Sequence, residues 1–334
     1  MSIPRPVTER LLIASEVAAA LEAGAPVVAL ESTLISHGLP YPQNLAVAIE
    51  SEAAVRSSGA VPATVAIHDG RILIGLDRAS LDALATVPAG TVRKAARPSL
   101  AAALAGGGWA ATTVSATMIA AHAAGISVFA TGGIGGVHRG ALGTWGSTLP
   151  TPSGSSTPSD PSVARPTFDI SSDLEELART PVAVVCAGPK AILDVPATLE
   201  YLETRGVPVV AVGQDEVPGF FARTAGIAAP HTVPDVGAAA ELVGTHLGLG
   251  LGSGLLICVP VPAADALPEA IAREAVQRAI DDARDAGVTG PALTPWLLAR
   301  VAELTRGDSI RANTALIIND ARFAGELAVH LAGT

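Results

Sequence analysis

Short apolar runs alternate along the chain with longer, alanine-rich segments. The short runs are rich in Val, Ile and Leu and are bounded by Gly, Pro or polar residues, a pattern typical of buried strands. The predicted strands are residues 26–30, 126–130, 182–186, 207–212 and 255–259. The predicted helices include residues 15–24, with Ser15 as cap, 44–57 and 115–124. Another begins where Ser172 and Glu175 have capping-box spacing. A further helix leads from Lys190 towards Arg205, and most of the chain after Leu267 is also predicted to be helical.

One segment departs from this alternation. Residues 64–75 hold two apolar runs around His68, Asp69 and Gly70, which predicts an antiparallel hairpin. Because helices separate the other strands, we expect those strands to pair in parallel. The pattern therefore predicts an α/β/α layered fold with a mixed, mainly parallel sheet, in a single domain that covers residues 1–334.

Residues 141–166 consist mainly of Gly, Ser, Pro and Thr, with almost nothing apolar to bury. This composition is typical of a flexible insertion. Because the insertion lies between segments that carry candidate site residues, it is either a lid or an idle surface loop.

Composition and charge narrow the range of functions. The 334 residues are 49% hydrophobic and 3% aromatic, and the net charge is -10. An aliphatic globular core fits these values, whereas a nucleic-acid surface needs clustered Lys and Arg. Cys186 and Cys258 are too few for a disulfide framework.

The sequence shows no targeting or membrane-spanning segment. Glu9, Glu16 and Glu22 interrupt the N-terminal apolar stretch, and no apolar run is long enough to cross a bilayer. We therefore expect a cytoplasmic protein without nucleic-acid or membrane partners.

Lysine is scarce in this chain. Among 21 basic residues only Lys94 and Lys190 are lysines, and the others are arginines. An ammonium can lose its proton and become an amine nucleophile, whereas a guanidinium cannot. Each lysine is therefore either a candidate for covalent chemistry or a chance survivor of an arginine-rich composition.

Polar residues at the ends of predicted strands mark a candidate site. Glu31 follows the strand at 26–30, at the edge where open α/β sheets bind ligands. Residues 131–140, TGGIGGVHRG, follow the strand at 126–130 and offer backbone amides to a phosphate, with His138 and Arg139 nearby. This segment has neither P-loop spacing nor that of a dinucleotide fingerprint.

Two aspartates form a candidate cation site. Asp169 and Asp173 are four positions apart, and their carboxylates suit a hard ion such as Mg²⁺ or Mn²⁺. Asp173 equally fits the first turn of a helix, where a negative charge is stabilised by the helix dipole.

Seven long segments of the chain are distinctive. They are VALESTLISHGLPYPQN from Val28, GAVPATVAIHDGRILIGL from Gly59, TTVSATM from Thr112, FATGGIGGVHRG from Phe129, FDISSDLEELA from Phe168, VVCAGPKAILDVPATLEYLETRGVPVV from Val184, and TPWLLARVAELTRGDSIRANTALIINDA further on. These segments resemble the pseudouridine-5'-phosphate glycosidase family, which includes indigoidine synthase A-like proteins. The segments follow the family's order and cover nearly the whole chain.

The resemblance implies an enzyme that reversibly cleaves the carbon-carbon bond of pseudouridine 5'-phosphate to uracil and ribose 5-phosphate. Lys190 of the CAG-x-K segment would form a Schiff base with ring-opened ribose 5-phosphate, and Glu31 of the ALEST segment would donate protons. Asp169 would be associated with the metal, Mn²⁺ or Mg²⁺. The implied substrate-binding residues are Lys94, Val114, Thr131, His138, Ser171, Ser172, Asp173 and Asn313. The family also implies a homotrimer.

Schiff-base chemistry suits the cleavage of a C-glycosidic bond. A C-glycosidic bond has no leaving heteroatom for a simple acid to protonate, so the paired carboxylates of ordinary glycosidases serve it poorly. An imine at the former anomeric carbon supplies an electron sink instead. We therefore expect the Lys190 amine to lie beside the glycine-rich segment and Glu31.

One segment departs from the family pattern and keeps alternatives open. The family commonly shows a serine and then an Arg-Asp pair after the lysine, whereas Lys94 is followed here by AARPSL. The alternatives are a related C-nucleoside 5'-phosphate lyase or synthase acting on a modified base, a pyridoxal-phosphate enzyme with its imine on Lys190, and a catalytically weak phosphate-sugar-binding protein. A yellow purified protein would favour the pyridoxal-phosphate enzyme.

Overall fold

The computed structural model describes residues 6–88, 90–143, 166–288 and 290–333. Most of the predicted insertion at 141–166 lies outside the described residues. The strands are β1 (Leu11–Ile13), β2 (Val27–Leu30), β3 (Val61–His68), β4 (Arg71–Ile74), β5 (Arg93–Ala95), β6 (Trp109–Thr112), β7 (Val128–Ala130), β8 (Val137–His138), β9 (Ala183–Cys186), β10 (Leu193–Asp194), β11 (Val209–Val212), β12 (His231–Val233) and β13 (Leu255–Cys258).

The helices surround these strands and recur between them along the chain. They are α1 (Ser15–Glu22), α2 (Gln43–Ser57), α3 (Arg78–Thr86), α4 (Leu100–Ala105), α5 (Val114–Ala123), α6 (Ser172–Leu177), α7 (Val195–Thr204), α8 (Val236–Gly248), α9 (Glu269–Asp285), α10 (Leu293–Leu304) and α11 (Asp308–Ala332). Within the described residues, no helix combines the length and apolar character that a bilayer span needs.

One 11-stranded sheet organises the molecule, in the order β1-β4-β3-β2-β7-β9-β13-β11-β12, with β6 paired to β3 and β5 paired to β6. Among the described strands of this sheet, the antiparallel pairs are β3 with β4 and β3 with β6, and the others are parallel. The predicted mixed, mainly parallel sheet is confirmed, and so is the hairpin at 64–75. A separate antiparallel pair, β8 with β10, lies outside the sheet.

Helices cover both faces of the sheet. Side chains alternate along a strand, so Ala29 and Val184 pack in the core beneath α1, α5, α6 and α7, whereas Val28 and Val185 pack in the core beneath α2, α8 and α11. Strands buried on both faces read as continuous apolar runs, which is why the sequence marks them so clearly. The α/β/α layering is confirmed.

Two predicted helix caps are wrong by one residue. Ser15 is the first residue of α1 rather than its cap, because the cap position is held by Ala14 without a side-chain hydrogen bond. The cap of α6 is Ser171, whose Oγ accepts the Asp173 N–H at 3.3 Å. Glu175 therefore does not complete a capping box; it accepts the Tyr201 hydroxyl at 2.7 Å instead.

Candidate active site

Three adjacent parallel strands end at the same edge of the sheet and deliver the candidate residues there. Leu30 pairs with Ala130, and Ala130 pairs with Val185, so β2, β7 and β9 end nearly in register. Glu31 follows β2, Thr131 follows β7, and the turn that holds Lys190 follows β9. Because ligands bind at the carboxyl ends of parallel strands, this edge is the candidate active site.

The Lys190 turn is fixed by the glycine-rich segment. The Lys190 backbone N–H donates to the Ile134 carbonyl at 3.1 Å, and its Nζ donates to the Gly133 carbonyl at 2.5 Å. From the other side, the Arg139 guanidinium donates to the carbonyls of Ala191 and Leu193 at 3.3 and 3.1 Å. The amine therefore projects from a turn that is held at both ends beside the glycine-rich segment.

The surroundings of Glu31 have opposing effects on the pKa of its carboxyl. Burial raises the pKa of the Glu31 carboxyl, while the charge of Lys190 and a hydrogen bond from the Thr131 hydroxyl lower it; Asp173 raises it and Lys94 lowers it. Because desolvation is the largest of these effects, the carboxyl keeps its proton at pH values above its ordinary pKa. Such a group can act as a general acid.

Lys94 completes this cluster from a separate strand pair. It lies in β5, opposite Ala111 of β6. Burial lowers the pKa of Lys94, and the like charge of Lys190 lowers it further, against the opposing effects of Glu31 and Asp173. Much of the residue's surface is nevertheless exposed, so this desolvation is partial and solvent screens the charge interactions. Both lysines of the chain thus lie within electrostatic reach of one carboxylate.

Asp173 ties three segments of the site together. Its Oδ1 accepts the Ser115 N–H at 3.1 Å, and its Oδ2 accepts the Gly135 N–H at 2.9 Å. The hydroxyl of Ser172 lies 3.2 Å from that of Ser115. A buried carboxylate with both oxygens bonded to backbone amides fixes the positions of α5, α6 and the glycine-rich segment relative to one another.

The glycine-rich segment presents fewer free amides than expected. The N–H groups of Ile134, Gly135 and His138 donate to Gly188, Asp173 and Asp169 respectively. These amides are not available to a phosphate.

The glycines serve close packing instead. A Cβ on Gly132 would lie 2.8 Å from Ile317, one on Gly133 would lie 2.6 Å from Phe220, and one on Gly136 would lie 2.4 Å from Thr198. The absence of side chains lets helices α11 and α7 and a neighbouring loop approach the segment, which is a second physical reason for such a motif.

Gly135→Ala tests this packing role. The added Cβ would lie 2.3 Å from the Ser171 Oγ and 2.9 Å from the Asp173 Oδ2, so one of these groups must move. We expect a loss of about 1–3 kcal/mol in the free energy of unfolding, measured by urea denaturation, together with a loss of activity. The matched control is Gly248→Ala, which has nothing within 4 Å of the new Cβ and should leave stability unchanged or slightly higher. Equal stability of the two variants would contradict the packing role.

The other implied residues lie at different depths around the site. Val114, the first residue of α5, is fully buried. His138 lies in β8 and is half-buried, opposite Leu193 of the Lys190 turn. Asn313 is half-buried on α11, one turn before Ile317, which contacts the site. Asp169 is exposed, and its carbonyl accepts the His138 N–H at 3.0 Å.

Two contributions were missed by the sequence reasoning. Arg97, in the segment that departs from the family pattern, donates from its backbone to the Ser115 Oγ at 3.0 Å and pairs through its guanidinium with the fully buried Glu176. The altered segment is therefore anchored to α5 and α6.

His37 is the second such residue and lies near Lys94. Burial lowers the pKa of His37, and the positive charge of Lys94 lowers it further. Its position in the ESTLISHG segment was the available signal.

The chain is similar to known proteins over nearly its whole length. The model of the family described as indigoidine synthase A like protein matches residues 16–149 and 160–330, most of the chain. The chain belongs to this family. The pseudouridine-5'-phosphate glycosidase of Paracoccus denitrificans is 49% identical over 322 residues, covering 96% of this chain and 98% of its own. The protein of the same name from Solibacter usitatus is 51% identical over 321 residues, covering 96% and 99%.

Two solved structures of similar sequence share the fold. The crystal structure of the prealnumycin C-glycosynthase AlnA in complex with ribulose 5-phosphate matches with a TM-score of 0.83 at 34% identity, covering 99% of this chain and 98% of that chain. An indigoidine synthase A-like protein from Thermotoga maritima matches with a TM-score of 0.81 at 28% identity and covers 99% of both chains. Both agree with the layered α/β fold described above.

Proposed function

We propose that this protein is a pseudouridine-5'-phosphate glycosidase, which reversibly cleaves the carbon-carbon glycosidic bond to give uracil and ribose 5-phosphate. The observation that carries the proposal is the convergence of Glu31, Lys190 and Lys94 at one edge of the sheet, in a chain with no other lysine. The names of relatives at 49–51% identity over nearly the whole chain support the choice of substrate.

The chemistry follows from the positions of Glu31 and Lys190. The Lys190 amine displaces the ring oxygen at the anomeric carbon: a C–N bond forms, and the ring C–O bond breaks as Glu31 gives its proton to the ring oxygen. The ammonium formed on Lys190 then returns a proton to Glu31, which gives it to the base carbon. The C–C bond breaks with its electrons remaining on uracil, and the Lys190 nitrogen lone pair forms the C=N bond of the iminium. Water hydrolyses the imine to ribose 5-phosphate and returns the free amine.

The direct test is uracil release from pseudouridine 5'-phosphate by the purified protein with added Mn²⁺. We expect turnover, and also synthesis from uracil and ribose 5-phosphate. Tight binding without release in either direction would leave only a phosphate-sugar-binding role. A colourless protein would also argue against pyridoxal phosphate on Lys190.

The phosphate needs positive charge, and Lys94 is the proposed partner on the protein. Asp169 is the proposed metal-binding residue. Within the described parts of the chain, no group of three His, Cys, Asp or Glu side chains could hold a metal. A single exposed carboxylate nevertheless fits Mn²⁺ or Mg²⁺, since such ions keep several waters and bind substrate phosphates. The ion would supply charge that neutralises and orients the phosphate.

Asp169→Asn is expected to weaken Mn²⁺ binding at least about tenfold, since an amide lacks the charge of a carboxylate. Titration of free Mn²⁺ by electron paramagnetic resonance, with ribose 5-phosphate present, measures this without any turnover. Asp215→Asn, in the loop after β11, is the control for the loss of one carboxylate and should bind as the wild type does. Unchanged affinity of the Asp169 variant would remove this residue from the metal site.

A second candidate is synthesis or cleavage of a C-nucleoside phosphate that carries a modified base. The specific observation in its favour is the similarity to a C-glycosynthase at 34% identity over the whole chain. Assays with uracil and with larger aromatic acceptors, each with ribose 5-phosphate, separate the two candidates: preference for the larger acceptor would favour the second.

We also infer a cytoplasmic homotrimer. The location is supported by the cysteine content, since Cys186 and Cys258 are too few for the disulfide framework typical of small secreted proteins. The trimer rests on the family resemblance alone, and sedimentation velocity would test it.

A further inference from the structure

A small cavity lies behind Glu31, between α2, the ends of β2 and β7, and the middle of β3. Its volume is about 10 Å³, and its polar lining consists of Glu31, Ser51, Thr64 and Thr131, while the rest of the lining is apolar. A space of this size with two to four polar partners is what one buried water requires. Thr64 pairs in register with Leu30, so the cavity directly adjoins the strand that delivers Glu31.

The three hydroxyls on the cavity wall already donate elsewhere. Thr131 donates to Glu31, Ser51 donates to the Val47 carbonyl at 2.8 Å, and Thr64 donates to Glu52. A hydroxyl has one hydrogen to donate, so each of these oxygens can only accept a hydrogen bond from the cavity. The remaining polar group on the wall is the Glu31 carboxyl, which burial favours in its protonated form by raising its pKa. A water there would accept from Glu31 and donate to two hydroxyls.

Glu52 connects this chain of bonds to the surface. It is half-buried on α2, one residue after Ser51. Burial raises the pKa of Glu52, while Thr64 and Arg56 lower it and Glu16 raises it. Arg56 and Glu16 form an exposed ion pair that acts on Glu52, and because Glu52 is itself partly exposed, a proton that reaches it can pass to solvent. Nothing in the chemistry proposed above uses Glu52 or Thr64.

We propose that one water in this cavity completes a proton relay, Glu31–water–Thr64–Glu52, which connects the acid of the active site to solvent. The relay rests on the proposed function insofar as Glu31 must exchange its proton during turnover. Its steps balance: Glu31 gives a proton to the water, the water gives one to the Thr64 Oγ1, and Thr64 gives its own to a Glu52 oxygen. The net result is one proton moved from Glu31 to Glu52, with no bond between heavy atoms changed.

At each end of the relay, the surrounding charges have opposing effects on the pKa of the carboxyl. Glu31 is faced by Lys190 and Lys94, which favour its ionised form, and by Asp173, which opposes it. Glu52 is faced by Arg56 and by Glu16, with opposite effects. Glu31 can therefore recover its proton from solvent through Glu52 rather than through the substrate site.

Infrared spectroscopy tests the relay without any substrate. The carbonyl stretch of a protonated carboxyl shifts when the proton is replaced by deuterium, and Glu31→Gln identifies the band. On transfer to D₂O we expect the Glu31 band to shift at least about tenfold more slowly in Thr64→Val than in the wild type. Thr64→Ser restores the hydroxyl and should restore the rate. Equal rates in wild type and Thr64→Val would overturn the relay.

A second measurement concerns Glu52 and turnover. Glu52→Gln keeps the shape but cannot take up a proton, so it should slow the exchange of Glu31 and lower kcat with little change in KM. Glu16→Gln removes the same charge beside Arg56 without touching Thr64, and should match the wild type. If Glu16→Gln and Glu52→Gln behave alike, the effect is electrostatic and the relay is wrong. Absence of uracil release by the wild type would refute the proposed function, whereas the infrared exchange would still decide the relay.

Discussion

Replacing Lys190 with arginine is expected to abolish uracil release and leave the fold intact. Arginine keeps the positive charge beside Glu31 and can still donate to the Gly133 carbonyl, but it cannot form an imine. The loss in kcat should be at least about 10³-fold, the scale on which removal of a covalent nucleophile acts. Uracil release is followed by absorbance, and circular dichroism checks the fold.

Borohydride reduction with ribose 5-phosphate, followed by peptide mapping, locates the covalent step. The wild type should carry a stable adduct on Lys190, and Lys190→Arg should carry none. Lys94→Arg is the matched control, since it alters the other lysine of the chain and should still form the adduct on Lys190. An adduct on Lys94, or turnover by Lys190→Arg, would refute the assignment.

Glu31→Gln is expected to lower kcat by about 10²–10⁴-fold, the usual contribution of a positioned general acid. The pH dependence should change as well. Because burial raises the pKa of Glu31, the wild-type rate should fall on the alkaline side as this carboxyl loses its proton. That alkaline fall should disappear in the amide variant. A Glu31→Gln enzyme with the wild-type alkaline limb would show that another group is the acid.

The same variant should be at least as stable as the wild type near neutral pH. Above the ordinary value of 4.5, the unfolded chain releases the Glu31 proton more readily than the folded protein does. Stability therefore falls as the pH rises from 4.5 towards the raised folded-state pKa. An amide does not titrate, so thermal unfolding of Glu31→Gln should show less of this decline.

Much of the fold could be predicted because its strands are buried on both faces. The runs at 182–186 and 255–259 are apolar and buried throughout, the run at 126–130 is buried except for Ser127, and each became a strand of the sheet. Cap positions were harder, because a cap depends on local backbone angles: Ser171 has φ -63 and ψ 138, whereas Ser172 is already helical.

The site was predictable in part. Glu31 and Lys190 follow buried strands, so a strand-end rule finds both. The roles of Asp173 and the glycines were not predictable from local pattern, because they depend on which segments approach in space. The Arg97–Glu176 pair spans 79 positions of sequence, and neither residue has a neighbour that signals the other.

Helix α11 has a consequence for how the protein matures. It packs against α2, α8, β2, β7 and β9, and its Ile317 forms part of the wall behind Glu31 and lies against Gly132. A ribosome synthesises this helix after every strand of the sheet. A nascent chain can therefore assemble the strands early, but it cannot close the wall behind Glu31 until α11 emerges from the exit tunnel. The candidate site is thus completed late in translation, and a product that stops before α11 would lack this wall.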